Sequence, residues 1–467
     1  MFLRKWHSMG SPQKSAFDRL VQILFFSGRT ELAAILAGFL GLMAVLLLVG
    51  KVPISYNVRN LMVRWITTVM TGLAFTFVVA LMTVMLAFVN GMYKLTEKSG
   101  QPGNVIVLAD GAVDETFSTL SFVDSSDIER QPGVEKDASG AALCSKEVYV
   151  IVNQEIPVAQ GEKPRRRFVQ VRGIEDPAMA GAVHSLKLRD GGQWFSQAGV
   201  EESPAEGGMT SPQVLIQAVL GNGLAAELGS DRPDKKPLQV GDTFSLGART
   251  WKVVGLLDST GSTFDSEVWA KRSRVGEDFG KANMFSSYLI RTSGPRAAKA
   301  LTEELKNYKK AALNPQPETE YFSSQGETGK QFLAAIIVVA VVMAVGGVFG
   351  VMNTMFAAIS QRTKDIGVLR ILGYARRQIL VSFLLESLVI ALVGGALGCA
   401  VGMLADGWTA RSVVSNGPGG GKSVVLQLVV SPEILMTGLL LSLGMGALGG
   451  LVPALSAMRL RALESLR

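Results

Sequence analysis

The sequence predicts a polytopic α-helical membrane protein with four core transmembrane helices, a fifth N-terminal one, and a large α+β extracytoplasmic domain inserted after the first core helix. The first observation is that four long stretches contain no Lys, Arg or Asp, and only Glu386 places a charge in any of them. Each exceeds the about 20 residues with which a helix crosses a bilayer. The second observation is the long charged segment between the first two stretches. The stretches comprise residues 65–93, 331–361, 378–405 and 434–458.

The composition agrees with a chain that is partly embedded in a membrane and partly exposed to water. Hydrophobic residues make up 48% of the sequence and charged residues 18%. This is too apolar for an ordinary soluble chain and too charged for membrane helices alone. The net charge is +7. Because the basic residues flank the apolar stretches, membrane topology explains them, and we predict no nucleic-acid partner.

The distribution of basic residues predicts which side of the membrane is cytoplasmic. Lys and Arg gather at the cytoplasmic ends of transmembrane helices. Three basic segments fall on one side if each of the four stretches crosses once. We assign that side to the cytoplasm, and the large domain and the loop near Asn416 to the other side. The basic residues are Arg59 and Arg64 before the first stretch, Arg362, Lys364, Arg370, Arg376 and Arg377 in the middle loop, and Arg459, Arg461 and Arg467 in the tail.

The N-terminal region contains one more apolar stretch. Residues 32–50 are uncharged and just long enough to span. Spanning would leave the basic N-terminus outside, against the positive-inside trend. The Leu, Ala and Gly content favours a fifth transmembrane helix, with a re-entrant or interfacial segment as the alternative. A cleaved signal peptide is disfavoured because the stretch is too long and too far from Met1.

Residues 94–330 alternate between strand-like and helical patterns. Runs of β-branched and aromatic residues predict strands, and apolar residues at helical spacing predict helices. A hairpin with its turn near Gly247 is expected where residues 238–244 precede residues 251–257. Residues 199–212, rich in Glu, Pro and Gly, predict a solvated loop or a subdomain boundary. The other predicted strands are residues 105–108, 148–152, 168–171 and 214–218, and the predicted helices are residues 125–130 and 295–308.

The charged segment shows no pattern that predicts catalysis or metal binding. Its Asp and Glu residues are scattered, as on a soluble surface. His184 could act as a general base, but a lone His beside a Ser is more often a surface or packing residue. Residues 165–167, three consecutive Arg, are expected at a solvated strand edge. Cys144 and Cys399 fall in different predicted compartments, so we expect two separate packing residues, no disulfide and no metal site.

Residues 416–423 (NGPGGGKS) differ from a phosphate-binding P-loop by one substitution, Asn416 in place of the first Gly. A P-loop needs a strand before it and a helix after it, because backbone N–H groups and the helix terminus converge on the phosphate. Here the segment lies between two apolar stretches on the extracytoplasmic side, and residues 424–430 after it are strand-like. We predict a flexible external loop and no nucleotide binding.

The polar turn after the second apolar stretch predicts either a topogenic loop or a docking surface for a cytoplasmic subunit. A helix ends near Ser360, and a short amphipathic helix at the membrane surface then ends at Gly373. The third stretch carries Gly394, Gly398 and Gly402, a small-xxx-small series that allows close approach of another helix. Packing within one subunit and a subunit interface both remain open for these glycines. The amphipathic helix places apolar Ile366, Leu369, Ile371 and Leu372 beside charged Arg362, Lys364, Asp365 and Arg370.

A series of short motifs follows in a specific order along the chain. They are residues 57–61 before the first stretch, 127–134, 171–174, 194–195, 240–242 and 253–255 in the large domain, 352–353, 361–373 and 383–386 around the middle loop, and 450–454 and 462–467 at the end. In these motifs the chain, over residues 56–467, resembles the MacB/FtsX-type ABC transporter permeases, also called type VII or mechanotransmission ABC proteins. Gln361 and Asp365 depart from the family's usual Glu, and Pro is missing after Arg461.

The resemblance implies a permease subunit without an ATPase domain, working with a separate P-loop ATPase that binds ATP and Mg²⁺. We therefore expect no cofactor in this chain. It also implies a homodimer, or a heterodimer with a sister permease, in the bacterial plasma (inner) membrane. Further expected partners are membrane lipid and a periplasmic adaptor or lipoprotein.

The resemblance also implies that residues 361–372 form a coupling helix against the ATPase. Arg362 and Arg370 would pair with acidic groups on the ATPase. A bulky residue at position 367 would disrupt docking more than the fold. The expected coupling residues are Arg362, Lys364, Asp365, Gly367, Leu369, Arg370 and Gly373.

Two functions are compatible with such a permease. The first is export or extraction of a lipoprotein, lipid, peptide or hydrophobic compound, driven by movement of the extracytoplasmic domain. The alternative is a transmembrane signal transmitter that regulates an envelope partner such as a cell-wall hydrolase. The size of the domain favours the first, because the division-type transmitters of this family carry a much smaller one.

The predicted organisation has nine segments. They are a basic N-terminal segment (1–30), an extra transmembrane helix (31–50), an elbow helix with core helix 1 (51–93), a MacB-like α+β extracytoplasmic domain (94–330), core helix 2 (331–360), the coupling helix (361–377), core helix 3 (378–405), an external loop (406–433), and core helix 4 with a cytoplasmic tail (434–467).

Overall fold

The structure is a computed structural model of the chain. Residues 1–27 of the basic N-terminal segment, the elbow at residues 57–61 apart from Arg59, and the end of the C-terminal tail lie outside the residues that it describes. The described residues are 28–49, 59, 62–122, 127–156, 163, 165–203, 213–258, 261–309, 311–325, 327–417 and 420–459.

The chain divides into two compact units. One, which we call the helical unit, comprises residues 1–90, 332–408 and 428–467. The other comprises residues 91–331 and 409–427. We call it the outer unit, because the charge pattern of the sequence assigns these segments to the extracytoplasmic side.

The chain has helices of two kinds, long apolar ones and shorter ones. In chain order they are α1 (Arg29–Val49), α2 (Trp65–Ser99), α3 (Pro177–His184), α4 (Asn222–Gly229), α5 (Arg272–Asp278), α6 (Pro295–Lys306), α7 (Glu318–Gln325), α8 (Glu327–Gln361), α9 (Thr363–Ile371), α10 (Arg376–Met403) and α11 (Pro432–Arg459).

Five helices in the described part of the chain are long and apolar enough to cross a membrane: α1, α2, α8, α10 and α11. Each core stretch predicted from the sequence coincides with one of the last four, and residues 32–49 lie within α1. The predicted fold class, apolar helices with a large α+β domain between them, is confirmed. Helix α2 continues to Ser99 and helix α8 begins at Glu327, so both extend beyond their apolar stretches.

The core of the helical unit is formed by α2, α8, α9, α10 and α11. Phe75, Met355, Ile366, Phe383 and Met445 supply one side chain from each of these helices to a single buried cluster. The short helix α9 is therefore part of this core.

Fourteen strands are described, and ten of them form one sheet. In chain order they are β1 (Asn104–Ala109), β2 (Leu120–Ser121), β3 (Cys144–Ile156), β4 (Arg165–Ile174), β5 (Val200–Ser203), β6 (Gln213–Leu220), β7 (Thr243–Leu246), β8 (Arg249–Leu256), β9 (Glu267–Lys271), β10 (Met284–Phe285), β11 (Ser287–Arg291), β12 (Leu313–Pro317), β13 (Thr409–Gly417) and β14 (Gly420–Gln427).

The large sheet has the strand order β12-β1-β11-β3-β4-β9-β6-β8-β7, with β5 paired to β6. Strands β4 and β9 pair in parallel, as do β6 and β8. Side chains alternate between two cores: in β6, Ala218 faces one core and Val219 the other, and in β9 Val268 and Trp269 divide in the same way. The predicted hairpin is confirmed in β7 and β8, with Gly247 at φ +62° in the turn.

Three local predictions are wrong in part. Residues 199–212 do not form only a loop, because residues 200–203 pair with β6 as strand β5. The predicted helix at residues 125–130 is, in its described part, a single 3₁₀ turn at Ile128–Arg130. The segment predicted as a flexible external loop contains a β-hairpin, in which β13 and β14 pair antiparallel from Thr409 and Gln427.

Candidate functional site

The turn between α8 and α10 is ordered by hydrogen bonds at both of its ends. At the end of α9, the Tyr374 N–H donates to the Leu369 carbonyl at 3.1 Å, and Gly373 takes the left-handed conformation at φ +96°. This is the usual way to end a helix with glycine. At the start of α10, the Ala375 N–H donates to Oε1 of Gln378 at 2.7 Å. The predicted helix stop at Gly373 is confirmed.

A buried ion pair anchors this turn to α10. Arg362 donates from Nη1 and Nη2 to the two carboxylate oxygens of Glu386, at 3.0 and 3.2 Å. The two side chains are only 6% and 5% exposed. The guanidinium also lies 6.0 Å from the centre of the Phe383 ring. The expectation that Arg362 pairs with the ATPase needs revision, because its partner is a carboxylate of the same chain.

The remaining predicted coupling residues fall on two sides of α9. Gly367 is buried, and the expectation that a bulky residue there would disrupt docking more than the fold stays a prediction. Lys364 and Asp365 are exposed, and Leu369 is half-buried. Arg370 is half-buried too, and its Nη1 donates to the Tyr374 carbonyl at 3.3 Å.

The apolar residues of α9 do not share one face. Ile366 is buried in the helical core, whereas Val368, Ile371 and Leu372 are exposed. We call these three residues the exposed apolar strip. It is displayed on a helix whose other side is fixed by Ile366 and by the Arg362 ion pair.

The glycines of α10 lie against α2 of the same chain. A Cβ at Gly394 would lie 2.7 Å from Cβ of Phe75, and one at Gly398 would lie 2.7 Å from Cβ of Val79. At Gly402 the corresponding contact is with Thr83, at 2.6 Å. Of the two alternatives left open above, this geometry is that of close packing within one chain.

The outer unit contains a buried charge cluster that the sequence analysis missed. Arg172 of β4 lies 2.7 Å from Glu115, 2.5 Å from Glu147 and 2.8 Å from Glu267. All four side chains are at most 2% exposed. The guanidinium lies 4.8 Å from the centre of the Tyr149 ring, so the cation is also enclosed by an aromatic face. The scattered carboxylates are therefore not all surface residues.

His184, predicted to be a surface or packing residue, extends the buried charge cluster. Its Nε2 is 2.7 Å from Glu147, and its Nδ1 is 3.8 Å from Glu318. Helix α3 ends at His184, which is buried and packs edge-on against Phe264 at 5.0 Å. Glu318, at the start of α7, also accepts hydrogen bonds from Nδ2 of Asn104 and the backbone N–H of residue 101, both at 2.9 Å.

The charges and burial of this cluster shift its pKa values. Burial lowers the pKa of His184, but the carboxylate of Glu147 outweighs burial and raises it overall. Burial raises the pKa of Glu318 to about 7, although His184 acts in the opposite direction. Burial raises the pKa of Glu147, but His184 and Arg172 outweigh it and hold that pKa below its ordinary value.

We expect the outer unit to lose stability as the pH rises from about 5 to about 8. His184 and Glu318 both have a higher pKa folded than unfolded, so their protons stabilise the folded state below the unfolded values of 6.5 and 4.5. That stabilisation is lost as the pH rises through the folded values, by on the order of 2 kcal/mol. Glu147 has the opposite pH dependence, because its pKa is lower in the folded state than in the unfolded state. The stability that it contributes is lost only as the pH falls below the ordinary pKa of a Glu side chain.

The measurement is thermal unfolding of the full chain in detergent across this pH range. Glu318→Gln removes one titrating group while keeping an acceptor for the N–H of residue 101, so its melting temperature should fall less steeply with pH. Equal pH slopes in the two proteins would contradict the assignment to Glu318.

Two further expectations about charged and thiol groups have different outcomes. Arg167 is not solvated: it is buried and forms an ion pair with Asp231, whereas Arg166 is exposed. Cys144 and Cys399 are free cysteines, as expected. Burial raises the pKa of the Cys144 thiol to about 12, so it stays protonated at neutral pH.

The Gly-rich segment at residues 416–423 lies in a context unlike that of a P-loop. Its described residues belong to the end of β13 and the start of β14, so a strand lies where a P-loop has a helix. The absence of nucleotide binding stays a prediction.

Two protein-family models match the chain. The model described as MacB-like periplasmic core domain matches residues 68–308, just over half of the chain, and the one described as FtsX-like permease C-terminal matches residues 337–462.

Individual relatives match over parts of their length. The uncharacterized ABC transporter permease MJ1507 of Methanocaldococcus jannaschii is 27% identical over 50% of this chain and 58% of its own. The uncharacterized ABC transporter permease YknZ of Bacillus subtilis is 36% identical over 26% and 28%. The macrolide export ATP-binding/permease protein MacB of Shewanella oneidensis is 23% identical over 78% and 55%. The chain thus spans less than two thirds of the length of these relatives.

Two solved structures are also similar to part of the chain. The extracellular domain of the transporter YknZ from Gram-positive bacteria is 13% identical with a TM-score of 0.29, over 46% of this chain and 99% of that one. The periplasmic region of MacB from Actinobacillus actinomycetemcomitans is 15% identical with a TM-score of 0.30, over 51% and 94%.

The family assignment rests on the two matching models together with the order of elements. A periplasmic-type α+β domain follows the first core helix, and the permease C-terminal region contains the remaining core helices and the turn at α9. The relatives described above are named as permeases or as combined ATP-binding and permease proteins of ABC transporters. The chain is a membrane permease with a periplasmic-type domain, and it belongs to the MacB/FtsX-type family of ABC transporter permeases.

Proposed function

We propose that this permease couples ATP hydrolysis by a separate P-loop ATPase to movement of its outer unit. The observation that carries the proposal is the exposed apolar strip on α9. Val368, Ile371 and Leu372 are 47%, 61% and 71% exposed at a turn whose flanking residues are charged. Because the positive-inside pattern assigns this turn to the cytoplasm, a cytoplasmic protein surface is the partner that would cover the strip.

The base of α9 suits it to transmit force from such a partner. Ile366 is buried in the helical core, and the bidentate Arg362–Glu386 pair ties the start of α9 to the middle of α10. Arg64, before α2, also donates a hydrogen bond to the side chain of Gln361 at the end of α8. A displacement of α9 would therefore be shared with α2, α8 and α10, because close-packed interiors transmit strain.

Helices α2 and α8 provide continuous elements for this coupling. Each contains 35 residues, most of which belong to the helical unit and the rest to the outer unit. A helix of this length is roughly 50 Å long, more than the thickness of a bilayer core. We propose that ATP binding and hydrolysis tilt these helices and thereby move the outer unit. ATP and Mg²⁺ would be held by the partner ATPase.

We further propose that the permease works as a dimer, either with a second copy or with a sister permease. In the apolar part of α8 only 11% of the residues are buried within the chain. Side chains added at Gly346 or Gly350 would meet nothing within 4 Å. A partner helix could approach α8 closely at these glycines, as in other small-xxx-small pairs, and membrane lipid would cover the rest of its surface.

For the transported substrate, we propose export or extraction at the bacterial inner membrane. Candidate cargoes are a lipoprotein, lipid, peptide or hydrophobic compound, with a periplasmic adaptor or lipoprotein as a further partner. The large periplasmic-type domain and the relatives named as macrolide exporters favour this function. The alternative, a signal transmitter that regulates an envelope partner such as a cell-wall hydrolase, uses the same coupling to the ATPase.

The test is affinity purification of the full chain from its native membranes, followed by identification and assay of any ATPase that co-purifies. Leu372→Glu places a charge in the strip and should reduce the recovered ATPase at least about tenfold, since burying a Leu contributes about 1.5–3 kcal/mol. Leu404→Glu is the matched control, because Leu404 is 70% exposed at the other end of α10.

The mass of the purified complex would report whether two permease copies are present. A chain that brings down no ATPase, even after crosslinking in intact membranes, would overturn the proposed coupling. Equal loss in both Leu variants would show that the strip is not the docking surface.

A further inference from the structure

We propose that the hairpin β13–β14 is a strap that binds the connection between α10 and α11 to the outer unit. Residues 409–427, which form the hairpin, belong to the outer unit although both neighbouring helices belong to the helical unit. This inference rests on the proposed function for its mechanical meaning. The docking of the hairpin can be tested independently.

The second strand of the hairpin is held by specific contacts. The backbone N–H of Val425 donates to Oγ of Ser266 at 2.8 Å, and Ser266 is itself buried. Val424 and Leu426, on either side of Val425, are 1% and 0% exposed. A Cβ at Gly223, in α4, would lie 3.2 Å from Cβ of Val425. Strand β14 is thus built into the outer unit on both of its faces.

The base of the hairpin contacts α2 at a glycine. A Cβ at Gly91 would collide with the carbonyl oxygen of Gln427, the last residue of β14. Glycine within a helix costs about 1 kcal/mol relative to alanine. Here it allows the hairpin backbone to lie directly on the helix.

One 3₁₀ helix, Thr263–Ser266, contacts both the strap and the end of α2. The backbone N–H of Thr263 donates to Oγ of Ser99, at the end of α2, at 2.8 Å. The same 3₁₀ helix provides Ser266 to the hairpin. Next to Ser99, a Cβ at Gly100 would lie 2.9 Å from the Cα of Thr319, in the first turn of α7. The strap and the end of α2 therefore both contact this 3₁₀ helix, and the start of α7 packs beside the end of α2.

The consequence concerns which helices move the outer unit. Without the strap, α2 and α8 alone would connect it to the membrane. With the strap, α10 and α11 are also connected to the outer unit, through the contact of Val425 with the 3₁₀ helix Thr263–Ser266. This 3₁₀ helix directly precedes Glu267 of the buried charge cluster. The strap therefore stays docked throughout the ATPase cycle and makes the four core helices act together on the outer unit.

A disulfide between Gly223→Cys and Val425→Cys tests the docking in the full chain, with both native cysteines replaced by Ala. The Cβ separation is close to the about 3.5–4.5 Å that a disulfide needs. We expect rapid crosslinking in membranes under mild oxidation. Gly91→Ala should slow crosslinking about tenfold because the added methyl group displaces β14.

The matched control is Gly72→Ala, in the same helix, where an added Cβ meets nothing within 4 Å. Ser266→Ala, which removes the hydroxyl that accepts from the Val425 N–H, is a milder variant that should also slow crosslinking if Gly91→Ala fails to fold. Crosslinking that is absent, or equally fast in the Gly91 and Gly72 variants, would overturn the strap.

A second readout addresses the cycle once an ATPase co-purifies. The oxidised Cys pair should keep ATPase turnover within about twofold of the reduced protein, because the strap need not release. A loss that a reductant restores would show that the hairpin must undock, which overturns the strap as proposed. Failure to find an ATPase would count against the proposed function alone, since the crosslinking result does not depend on it.

Discussion

Arg172→Met is expected to lower the free energy of unfolding of the outer unit by roughly 3–5 kcal/mol, the range observed when one partner of a buried ion pair is removed. The substitution keeps much of the side-chain volume but leaves Glu115, Glu147 and Glu267 buried without their shared cation. Burial raises the pKa of Glu147, but His184 and Arg172 hold it below its ordinary value. Without Arg172 that pKa should rise, so the variant should recover part of its stability at acidic pH.

The measurement is thermal unfolding of the full chain in detergent, together with resistance to limited proteolysis. Arg166→Met is the matched control on the same strand. Arg166 pairs with Glu155 at 3.2 Å, but the two side chains are 60% and 73% exposed, so its loss should cost at most about 1 kcal/mol.

A double variant separates the charge effect from simple loss of packing. Adding Glu267→Gln to Arg172→Met removes one of the stranded carboxylates, so the double variant should be more stable than Arg172→Met alone. If Arg172→Met and Arg166→Met have the same effect, or if Glu267→Gln brings no recovery, the cluster does not contribute to stability in the way its geometry indicates.

The sequence could not reveal this cluster because its members are far apart in the chain. Glu147 and Glu267 lie 25 and 95 residues from Arg172 and come together only when β3, β4 and β9 pair. Glu147, Arg172 and Glu267 each adjoin an apolar run, and that is their only local signal. His184 is a buried packing residue, one of the two alternatives predicted, but its charged partners Glu147 and Glu318 could not be predicted because the fold brings them to it.

The long helices, by contrast, could be predicted from composition alone. A stretch of some twenty apolar residues without Lys, Arg or Asp has few alternatives to a membrane helix. Several strands of the outer unit were also predicted, since their β-branched and aromatic runs are local signals. The hairpin β13–β14 was missed because its Gly-rich centre reads as a flexible loop, and the contacts that order it come from Ser266, Gly223 and Gly91.

The turn at α9 was predicted in position but not in its internal contacts. Its helix stop at Gly373 follows from local sequence, and the exposed residues Ile371 and Leu372 fit the predicted docking surface. The role of Arg362 could have been anticipated from Glu386, because an acidic residue in an apolar helix usually has a cationic partner.

Removing either member of the Arg362–Glu386 pair is expected to destabilise the helical unit by roughly 3–5 kcal/mol, because the other charge remains buried. Arg362→Met leaves the Glu386 carboxylate buried without its partner, and Glu386→Leu does the same to the Arg362 guanidinium. The combined variant Arg362→Met/Glu386→Leu should be close to the unsubstituted chain in stability, since replacing a buried pair with apolar residues is often neutral or favourable. Thermal unfolding in detergent would measure all three variants, with Lys364→Met, at an exposed position of α9, as the control.

The same variants decide whether Arg362 acts inside the chain or on the ATPase. A guanidinium whose two nitrogens are engaged by Glu386 and whose side chain is 6% exposed has little surface left for a partner protein. The combined variant should therefore recover ATPase binding along with its fold, because α9 again packs on the helical core and presents the exposed apolar strip. A combined variant that folds normally but no longer retains the ATPase would show that Arg362 leaves Glu386 to contact the partner. In that case the ion pair would be one state of a switch at the start of α9, and the single variant Glu386→Leu should bind the ATPase more tightly than the unsubstituted chain.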